Sequence, residues 1–379
     1  MPVTAIPQPA GAIVRARSTL TPEEQQHLER LAFDYGEAAE SYLAVEPDGS
    51  VLLLPDMSGA MSIAPKRCKS YLNVPGGLLA PDEASKRELL RGLTSLIGAD
   101  CRVINVYSIL DKDVPMLEQA GFQINKFGEE PVLDLGDITW KGKEFEWIRR
   151  QANYCERHDV TCSEVHRLQL TPEEWGTLKE DMASVLREDL QDRPFPHELL
   201  LLEGRFLPDH LGRRRLFVAR RAGQPGIEAF LVCNPMRGGK EWAFESYRRR
   251  KDATRGVMAF LMKSTIDKLQ QEGVEQIDFC VVPGYGMRTK SHSSESWLVR
   301  KGLDTWYRRL DFFMGFQGQA YFKSRFRPRM INRYVCAAPH ATTGSIISFL
   351  RTAGAFSLSY RNVARSIWQH TRQKFRRGS

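Results

Sequence analysis

The sequence has no run of about twenty apolar residues, the length that a membrane-spanning helix requires. We therefore expect no membrane span. Residues 1–18 also lack the apolar core of a signal peptide; they are rich in Pro, Ala and Gly without any period, which predicts a disordered N-terminus. A Walker loop and a dinucleotide-binding fingerprint are missing as well, which argues against the common nucleotide-binding folds.

Cysteine is scarce, with seven residues scattered along 379 positions. An odd and irregular set is not a disulfide framework, so a reducing cytoplasm fits best. Cys155, His158, Cys162 and His166 have zinc-like spacing, but they span a predicted helix end and strand start that would scatter their side chains. We therefore expect no metal site and no bound cofactor.

Acidic residues become rare toward the C-terminus. Residues 287–339 hold eleven Lys/Arg against three Asp/Glu, and residues 340–379 hold seven Lys/Arg and no acid, whereas the whole chain carries a net charge of only +8. A cationic end attached to a more acidic body predicts an anionic partner, either nucleic acid or an acidic membrane surface.

The order of predicted elements repeats. Helix, strand meander, helix, strand, helix, strand is found twice, and Thr-Pro-Glu-Glu begins the first helix of both copies at Thr21 and Thr171. This indicates an α/β (α+β) fold of two similar domains. Within it we predict strands at 41–46 and 311–316 and a short helix at 293–301 that ends at Gly302.

The domain boundaries follow from this order. We predict a first domain at 19–140, a helical connector at 141–166, a second domain at 167–340 that carries the active site, and a basic amphipathic tail at 341–379. A basic helix with one apolar face either lies on an anionic bilayer or packs on its own protein. Amphipathicity alone leaves both outcomes open.

Several motifs then resemble one family. YRRRKDA at 247–253, GVMAFL at 256–261, YFKSRFRPRMINRY at 321–334 and the connector KGKEFEWIRRQANYCERHDV at 141–160 are similar to the cytosolic catalytic part of aminoacyl-phosphatidylglycerol synthases, the multiple peptide resistance factors. GEEPVLDLGDI at 128–138 resembles another strand of that family. The resemblance spans roughly Tyr35 to Pro339.

The resemblance implies tandem acetyltransferase-like (GNAT) domains with mixed sheets. It implies transfer of an aminoacyl group from aminoacyl-tRNA to a lipid hydroxyl such as that of phosphatidylglycerol, by a cytoplasmic or membrane-peripheral transferase. The chain departs from the family at Glu245, which replaces the motif Asp, and at Tyr247, which replaces a Met. Pro283-Gly284-Tyr285-Gly286 replaces the family's Pro-Leu-Ser, so the acceptor can be another hydroxyl or amine.

An aminoacyl ester is already activated, so its transfer needs positioning, a proton acceptor and stabilisation of an oxyanion. Glu245 could accept the proton or hold the substrate ammonium, or it could form a strand-end salt bridge with Arg248 or Arg249. Arg248 could pair with a phosphate. Lys323 is our choice for the terminal phosphate or the oxyanion. These three are the predicted catalytic residues.

Other residues are predicted to bind substrate. Arg255 and Gly256 precede a helix N-terminus, where anions bind readily. Phosphate contacts are assigned to three further arginines, Arg327, Arg329 and Arg333, and Arg325 is also placed in the substrate-binding set. Tyr247, Pro283 and Tyr285 complete the predicted substrate-binding set; the last two lie in a turn after a strand, a common place for ligand clefts.

Two other functions remain open. The first is an N-acyltransferase that uses acyl-CoA, although only Gly256 survives of the Arg/Gln-x-x-Gly-x-Gly/Ala loop of such enzymes, with Ala253 and Met258 at the other positions. The second is a basic module that binds RNA or membrane without catalysis. Tyr321, Phe322 and Phe326 could stack an adenine, but aromatic residues at this spacing are more often part of a core.

Overall fold

A computed structural model describes residues 11–368, apart from 137, 192, 203, 204, 206, 312–314 and 366. Within these ranges, no helix combines the length and the apolar character needed to cross a membrane. The predicted disorder of residues 1–10 and the basic end beyond residue 368 lie outside the described residues.

The chain alternates helices and strands along most of its length. The β-strands of the described residues are β1 Ile13–Ala16, β2 Ser50–Leu53, β3 Ala60–Ile63, β4 Tyr71–Val74, β5 Val103–Ile109, β6 Gln123–Asp134, β7 Val160–Val165, β8 Arg215–Arg221, β9 Ala229–Met236, β10 Glu241–Arg249, β11 Gln276–Asp278, β12 Val282–Pro283 and β13 Arg329–Ala338. The α-helices are α1 Pro22–Tyr35, α2 Glu83–Thr94, α3 Val114–Gln119, α4 Glu146–Glu156, α5 Pro172–Gln191, α6 Val257–Gln271, α7 Trp297–Arg309, α8 Phe316–Ser324 and α9 Thr343–Ala353.

One ten-stranded mixed sheet forms the centre of the molecule, in the order β4-β5-β13-β6-β11-β10-β9-β8-β7, with β12 beside β6. Each half contains a parallel strand pair joined through a helix: β4-α2-β5 in the first and β10-α6-β11 in the second. The strands that follow are exchanged between the halves. β6 pairs with β11, and β13 pairs with β5 and β6, all antiparallel.

The exchange joins the halves into a continuous sheet. The last strand of the predicted second domain therefore lies between two strands of the predicted first domain. β7 falls inside the predicted connector, yet it pairs with β8 as an edge strand, so the helical part of that segment is a 3-10 turn at Lys143–Phe145 followed by α4. The predicted α/β class with mixed sheets is confirmed, and the domain boundaries stay a prediction.

Local signals account for the confirmed helices. Thr21 and Glu24 form a reciprocal capping box at the start of α1. Thr171 and Glu174 do the same for α5, with hydrogen bonds of 2.8 and 3.2 Å. Each box satisfies backbone N–H groups that the first helical turn leaves free. The shared Thr-Pro-Glu-Glu sequence therefore marks equivalent helix starts, as predicted.

Some predicted elements are wrong. Of the strand predicted at 41–46, residues 41–45 belong to a 3-10 helix, Ala39–Val45. α7 continues through Gly302 to Arg309, because Gly302 does not adopt the left-handed conformation that ends a helix. The predicted strand at 311–316 falls largely outside the described residues, but Phe316 begins α8. Ile13–Ala16, predicted to be disordered, pairs with β2.

The start of the C-terminal tail packs on the protein body. In α9, Ser348 and Thr352 are buried, and the Asn73 amide donates a hydrogen bond of 3.0 Å to the Thr352 hydroxyl. Phe349 makes edge contacts with Tyr107 and Phe127 at centroid distances of 5.4 and 5.9 Å. Residues 343–353 therefore pack on the protein itself, where they cover one face of the first half of the sheet.

Candidate active site

A buried ion cluster lies where the exchanged strands meet. Arg333 of β13 is 2% exposed and pairs with Glu130 of β6 and, at 3.6 Å, with Asp278 of β11. Its guanidinium also donates to the backbone carbonyls of Glu37 at 2.9 Å and Ser108 at 3.3 Å. Burial, followed by the charge of Glu130, raises the pKa of Asp278 well above its usual range. The cluster thus contains more carboxylate than it can neutralise.

Glu245 occupies a second part of this interior. It lies in β10 at a register shift between Phe244 and Ser246 and is 8% exposed. The Arg214 Nε atom is 4.0 Å from its carboxylate and is held by a 2.8 Å hydrogen bond to Asn234. Burial raises the pKa of Glu245 to about 8; the Arg214 charge opposes this rise.

Two further acids surround Glu245. Glu46 accepts a 3.1 Å hydrogen bond from Arg214, and Glu40 is buried in the adjacent 3-10 helix. Both charges contribute to the raised pKa of Glu245. Burial and the neighbouring Glu130 raise the pKa of Glu40 itself. An interior rich in carboxylates suits a substrate ammonium, and a carboxyl that titrates near neutrality suits proton transfer.

Cys280 connects Glu245 with Lys323. Lys323 is 2% exposed, and its Nζ atom donates to the Cys280 carbonyl at 3.1 Å. The Cys280 thiol donates to the carbonyl of Phe244, the neighbour of Glu245, at 3.4 Å. Burial raises the pKa of this thiol well above its usual range, with Asp278 and Glu245 adding to the rise and Lys323 opposing it. Cys280 thus contacts Lys323 directly and contacts the strand of Glu245 through Phe244.

An arginine-lined cleft opens at the N-terminus of α6. It has a volume of about 460 Å³, and its walls include Arg249, Arg255, Gln151, Trp147 and Phe322. An adjoining cavity of about 190 Å³ shares Arg255 and Gln151 and adds two arginines of the α4 segment, Arg150 and Arg157. We call both together the arginine cleft. Its positive charge and the helix N-terminus favour an anion such as a phosphate.

Gly256 shapes this cleft. Its φ is +87°, and no described side chain caps α6 there. A Cβ atom at this position would lie 2.6 Å from Oε1 and 2.9 Å from Cβ of Gln151, so α4 approaches the helix start closely. Cys155 of α4 donates to the Arg255 carbonyl at 3.5 Å. These contacts fix Arg255 and the helix start relative to one another, as expected of a binding site.

Helix α8 leads from the cleft to the buried acids. Phe322 lines the cleft and packs edge-on against Trp147 at 6.2 Å, while the next residue, Lys323, points inward to Cys280. The Arg325 guanidinium lies 5.0 Å from the Trp147 ring and 5.7 Å from the Tyr321 ring. A phosphate in the cleft and a reacting group near Lys323 would therefore meet neighbouring residues of one helix.

Arg248, predicted to be catalytic, faces other partners. Its side chain is 5% exposed and lies 3.4 Å from Asp189 and 3.7 Å from Glu198, on the side of α5. The expected salt bridge between Arg248 and Glu245 is replaced by the pair of Glu245 with Arg214. Tyr247 is half-buried and packs against the core of the second half. Neither residue reaches the arginine cleft.

Arg333 was expected to contact phosphate, and this prediction does not fit its position. The residue is buried, and Glu130 and Asp278 already neutralise it, so it acts as the centre of an ion cluster. Arg327 is exposed beyond the end of α8. Phe326 is fully buried against Phe279 in the core and therefore offers no face to an adenine.

The predicted turn at 283–286 lies beside β6. Pro283 pairs with Gly128, and Tyr285 packs edge-on against Tyr307 of α7 at 5.7 Å. A Cβ atom on Gly286 would meet the Glu129 carboxylate at 1.9 Å, so the turn is held tightly against this strand. The turn borders the sheet near α7 and does not line the arginine cleft.

Sequence reasoning missed most of the acids in the cluster: Glu40, Glu46, Glu130 and Asp278. A signal existed for two of them. Asp278 interrupts the apolar run Ile277–Val282, and Glu130 lies in the segment GEEPVLDLGDI. A charge inside a buried strand needs a partner. For both acids that partner is Arg333, which follows Glu130 by about two hundred residues in the sequence.

No group of three or more His, Cys, Asp or Glu side chains in the described ranges is arranged to hold a metal ion. The pair Cys155 and Cys162, considered above for zinc, is split between α4 and β7. Burial raises the pKa of both thiols to about 12, which disfavours the thiolate that zinc binds.

Two solved structures illustrate what this chain is similar to. The C-terminal domain of a putative lysylphosphatidylglycerol synthetase from Agrobacterium fabrum matches with a TM-score of 0.69 and 19% identity, over 89% of this chain and 98% of that domain. L-PGS from Bacillus licheniformis matches with a TM-score of 0.70 and 20% identity, over 88% and 95%. At this identity the likeness shows a common fold.

Sequence comparison points the same way. A curated phosphatidylglycerol lysyltransferase from Bacillus subtilis (strain 168) is 24% identical over 246 residues, which are 65% of this chain and 27% of that protein. The chain therefore spans only a minor part of this relative. Residues 29–337 match the family described as phosphatidylglycerol lysyltransferase, C-terminal. The predicted family is thus confirmed: the chain belongs to the phosphatidylglycerol lysyltransferase C-terminal family.

Proposed function

We propose that this chain is an aminoacyltransferase that moves an aminoacyl group from aminoacyl-tRNA to a hydroxyl of phosphatidylglycerol, or to a hydroxyl or amine of a related acceptor. The observation that carries this proposal is that Cys280 contacts both Lys323 and Phe244, the neighbour of Glu245. Phe322, which precedes Lys323 on α8, lines the arginine cleft. The family membership of residues 29–337 supports it.

The reaction exchanges one ester for another. The acceptor hydroxyl attacks the carbonyl carbon of the aminoacyl ester, and its proton passes to Glu245. The Lys323 ammonium stabilises the oxyanion of the tetrahedral intermediate. Collapse of that intermediate breaks the bond to the ribose oxygen, which takes the proton from Glu245, and the new ester leaves with the acceptor. The bond energy of the original ester suffices, so we propose that tRNA is a co-substrate and that no other cofactor takes part.

The arginine cleft would hold the tRNA end. Its cations neutralise phosphates, and Arg255 together with the α6 N-terminus binds the phosphate closest to the ester. Trp147 and Phe322 provide aromatic surface for the terminal adenine. The buried carboxyl groups of Glu40 and Asp278 would receive the α-ammonium of the amino acid, which leaves Glu245 free to act as the base.

The decisive test incubates the purified chain with a mixture of radiolabelled aminoacyl-tRNAs and a total lipid extract. We expect label to enter the lipid fraction, and Glu245→Gln to abolish this. The matched control is Glu241→Gln, on the same strand but outside the cluster, which should retain transfer. Failure of every label to enter lipid or small molecules contradicts the proposal.

The same preparation separates the alternatives. An acyl-CoA enzyme would consume thioester without tRNA, and a cleft with arginines at a helix N-terminus could bind the CoA pyrophosphate. A non-catalytic module would bind RNA without turnover, and its Glu245→Gln variant would behave as wild type. A cytoplasmic location at the inner face of the membrane is part of the proposal, because the acceptor is a membrane lipid.

A further inference from the structure

A second cavity lies outside the candidate active site, between α7, α9 and the sheet. Its volume is about 200 Å³, and its walls are largely apolar; they include Phe127, Leu303, Trp306, Val335, Phe349 and Leu350. An apolar cavity of about 150 Å³ can remain free of water and bind benzene. The space between α7 and α9 therefore suits a short length of hydrocarbon.

One polar group in its wall lacks a partner. The indole Nε1 of Trp306 is buried, and no described residue accepts its hydrogen bond. A buried donor without an acceptor is unfavourable unless a ligand satisfies it. A carbonyl or phosphate oxygen next to the hydrocarbon would do so, which indicates an amphiphilic ligand instead of a pure alkane.

The rim of the cavity is apolar and cationic. Leu298 of α7 lines the cavity and is 39% exposed, and Ile347 of α9, next to the lining residue Ile346, is 47% exposed. Exposed cations on the same two helices are Lys301, Arg309 and Arg351. α9 contains no acid and α7 only one, Asp304. Apolar groups beside cations match an anionic lipid better than a nucleic acid, which offers little hydrocarbon.

The cavity also lies close to the ion cluster along β13. Val335 lines the cavity, and Arg333, two residues earlier on β13, pairs with Glu130. Residues two apart on a strand are separated by roughly 7 Å. A ligand with its chain between α7 and α9 would thus have its headgroup within reach of the polar interior.

We propose that this cavity binds an acyl chain of an anionic glycerophospholipid. Trp306 donates to an ester oxygen of the lipid, and the cations of α7 and α9 hold its phosphate. The inference deepens the proposed function, since the bound lipid would be the acceptor. Its test nevertheless requires no aminoacyl-tRNA, so either can fail without the other.

The test uses a glycine that lines the cavity. Gly302 lies within α7 and lines the cavity, and a Cβ atom there would meet no atom within 4 Å, so Gly302→Leu adds a side chain at the cavity wall with room for its first carbon. Gly176 in α5 has equally open surroundings and is far from the cavity in the sheet order, which makes Gly176→Leu the matched control. Both changes replace a helical glycine, which favours the helix.

Binding is measured by isothermal titration with dihexanoyl-phosphatidylglycerol below its micelle concentration. We expect wild type and Gly176→Leu to bind alike, and Gly302→Leu to bind at least about tenfold more weakly. Trp306→Phe, which keeps an aromatic ring and removes the N–H donor, should weaken binding about fivefold. Dihexanoyl-phosphatidylcholine and hexanoate should both bind more weakly than the anionic lipid.

Three results would overturn the inference. They are no binding by the wild type, equal binding by Gly302→Leu, and equal binding of the zwitterionic lipid. A tRNA that displaces the lipid and loses affinity in Gly302→Leu would assign the surface to RNA instead. Should lipid binding hold while no aminoacyl transfer is detected, the proposed function fails and the lipid site stands.

Discussion

Lys323 is a buried cation, and its ammonium donates to the Cys280 carbonyl at 3.1 Å. Replacement by Ala removes the charge next to the proposed reaction centre. We expect transfer to fall by roughly 10²–10³, the usual cost of one oxyanion-stabilising donor. Thermal stability should change far less, because one hydrogen bond contributes about 1 kcal/mol. Initial rates and melting temperatures, measured on the same preparation, give both quantities.

Lys323→Met serves as the control for packing, since it retains most of the side-chain volume. If the Met variant recovers stability but not transfer, the ammonium itself is required. Equal losses of transfer and stability in the Ala variant would instead make Lys323 a structural residue.

Glu245 predicts a characteristic pH dependence. Burial raises its pKa from 4.5 to about 8, so the folded protein binds a proton there more tightly than the unfolded chain does. This contribution to stability is fully present below about pH 4.5 and is lost as the pH rises through about 8. Glu245→Gln cannot titrate. The free energy of unfolding of wild type relative to this variant should therefore decrease as the pH rises from about 4.5 to about 8.

The same pKa governs activity in the opposite sense. A base must be deprotonated, so the transfer rate of wild type should rise with pH toward about 8. Rates over pH 6–9 and denaturant unfolding at each pH would show both trends. A stability difference that does not change with pH would mean that Glu245 stays ionised in the fold.

At the scale of elements, the two ends of α6 form a natural comparison. Gly256 and Gly273 have φ values of +87° and +82°, so Ala at either position is strained by about 1 kcal/mol. Only at Gly256 would the new Cβ atom meet another residue, Gln151 at 2.6 Å. We therefore expect Gly256→Ala to be more destabilising than Gly273→Ala in chemical denaturation. Affinity for tRNA, measured by filter binding, should fall for Gly256→Ala alone.

Elements were predicted best where the signal is local. The capping boxes at Thr21 and Thr171 mark true helix starts, because a cap depends on residues three positions apart. The strand expected at 41–46 became a 3-10 helix in which Tyr42 is fully buried. There the tertiary packing overrides a local strand preference. The helix end predicted at Gly302 was wrong for a related reason. The residue type alone does not show whether a glycine adopts the positive φ that ends a helix.

At the scale of the molecule, Arg333 holds the exchanged strand in place. Its replacement by Met would leave Glu130 and Asp278 buried without their cation, which costs about 3–5 kcal/mol. Arg329→Met is the matched control: it lies on the same strand and pairs with Asp134 at 3.0 Å on the surface, where a salt bridge contributes about 1 kcal/mol or less. Urea unfolding of both variants checks this.

A double variant, Arg333→Met with Glu130→Gln, tests the cause. Removal of both charges should recover part of the lost stability, since the uncompensated carboxylate is then gone. Additive losses would indicate that packing of the arginine stem, and not its charge, holds β13 between β5 and β6.

The sequence by itself determined the helix starts, the cationic C-terminal quarter, the glycine at the α6 N-terminus and the family, since these depend on composition and short-range spacing. It also pointed to Glu245 and Lys323. Only the tertiary structure decided that β13 crosses into the first half, that Arg333 is an interior ion and that Arg248 faces α5. Strand exchange pairs residues about two hundred positions apart, and no local pattern encodes which of two similar edges a strand will choose.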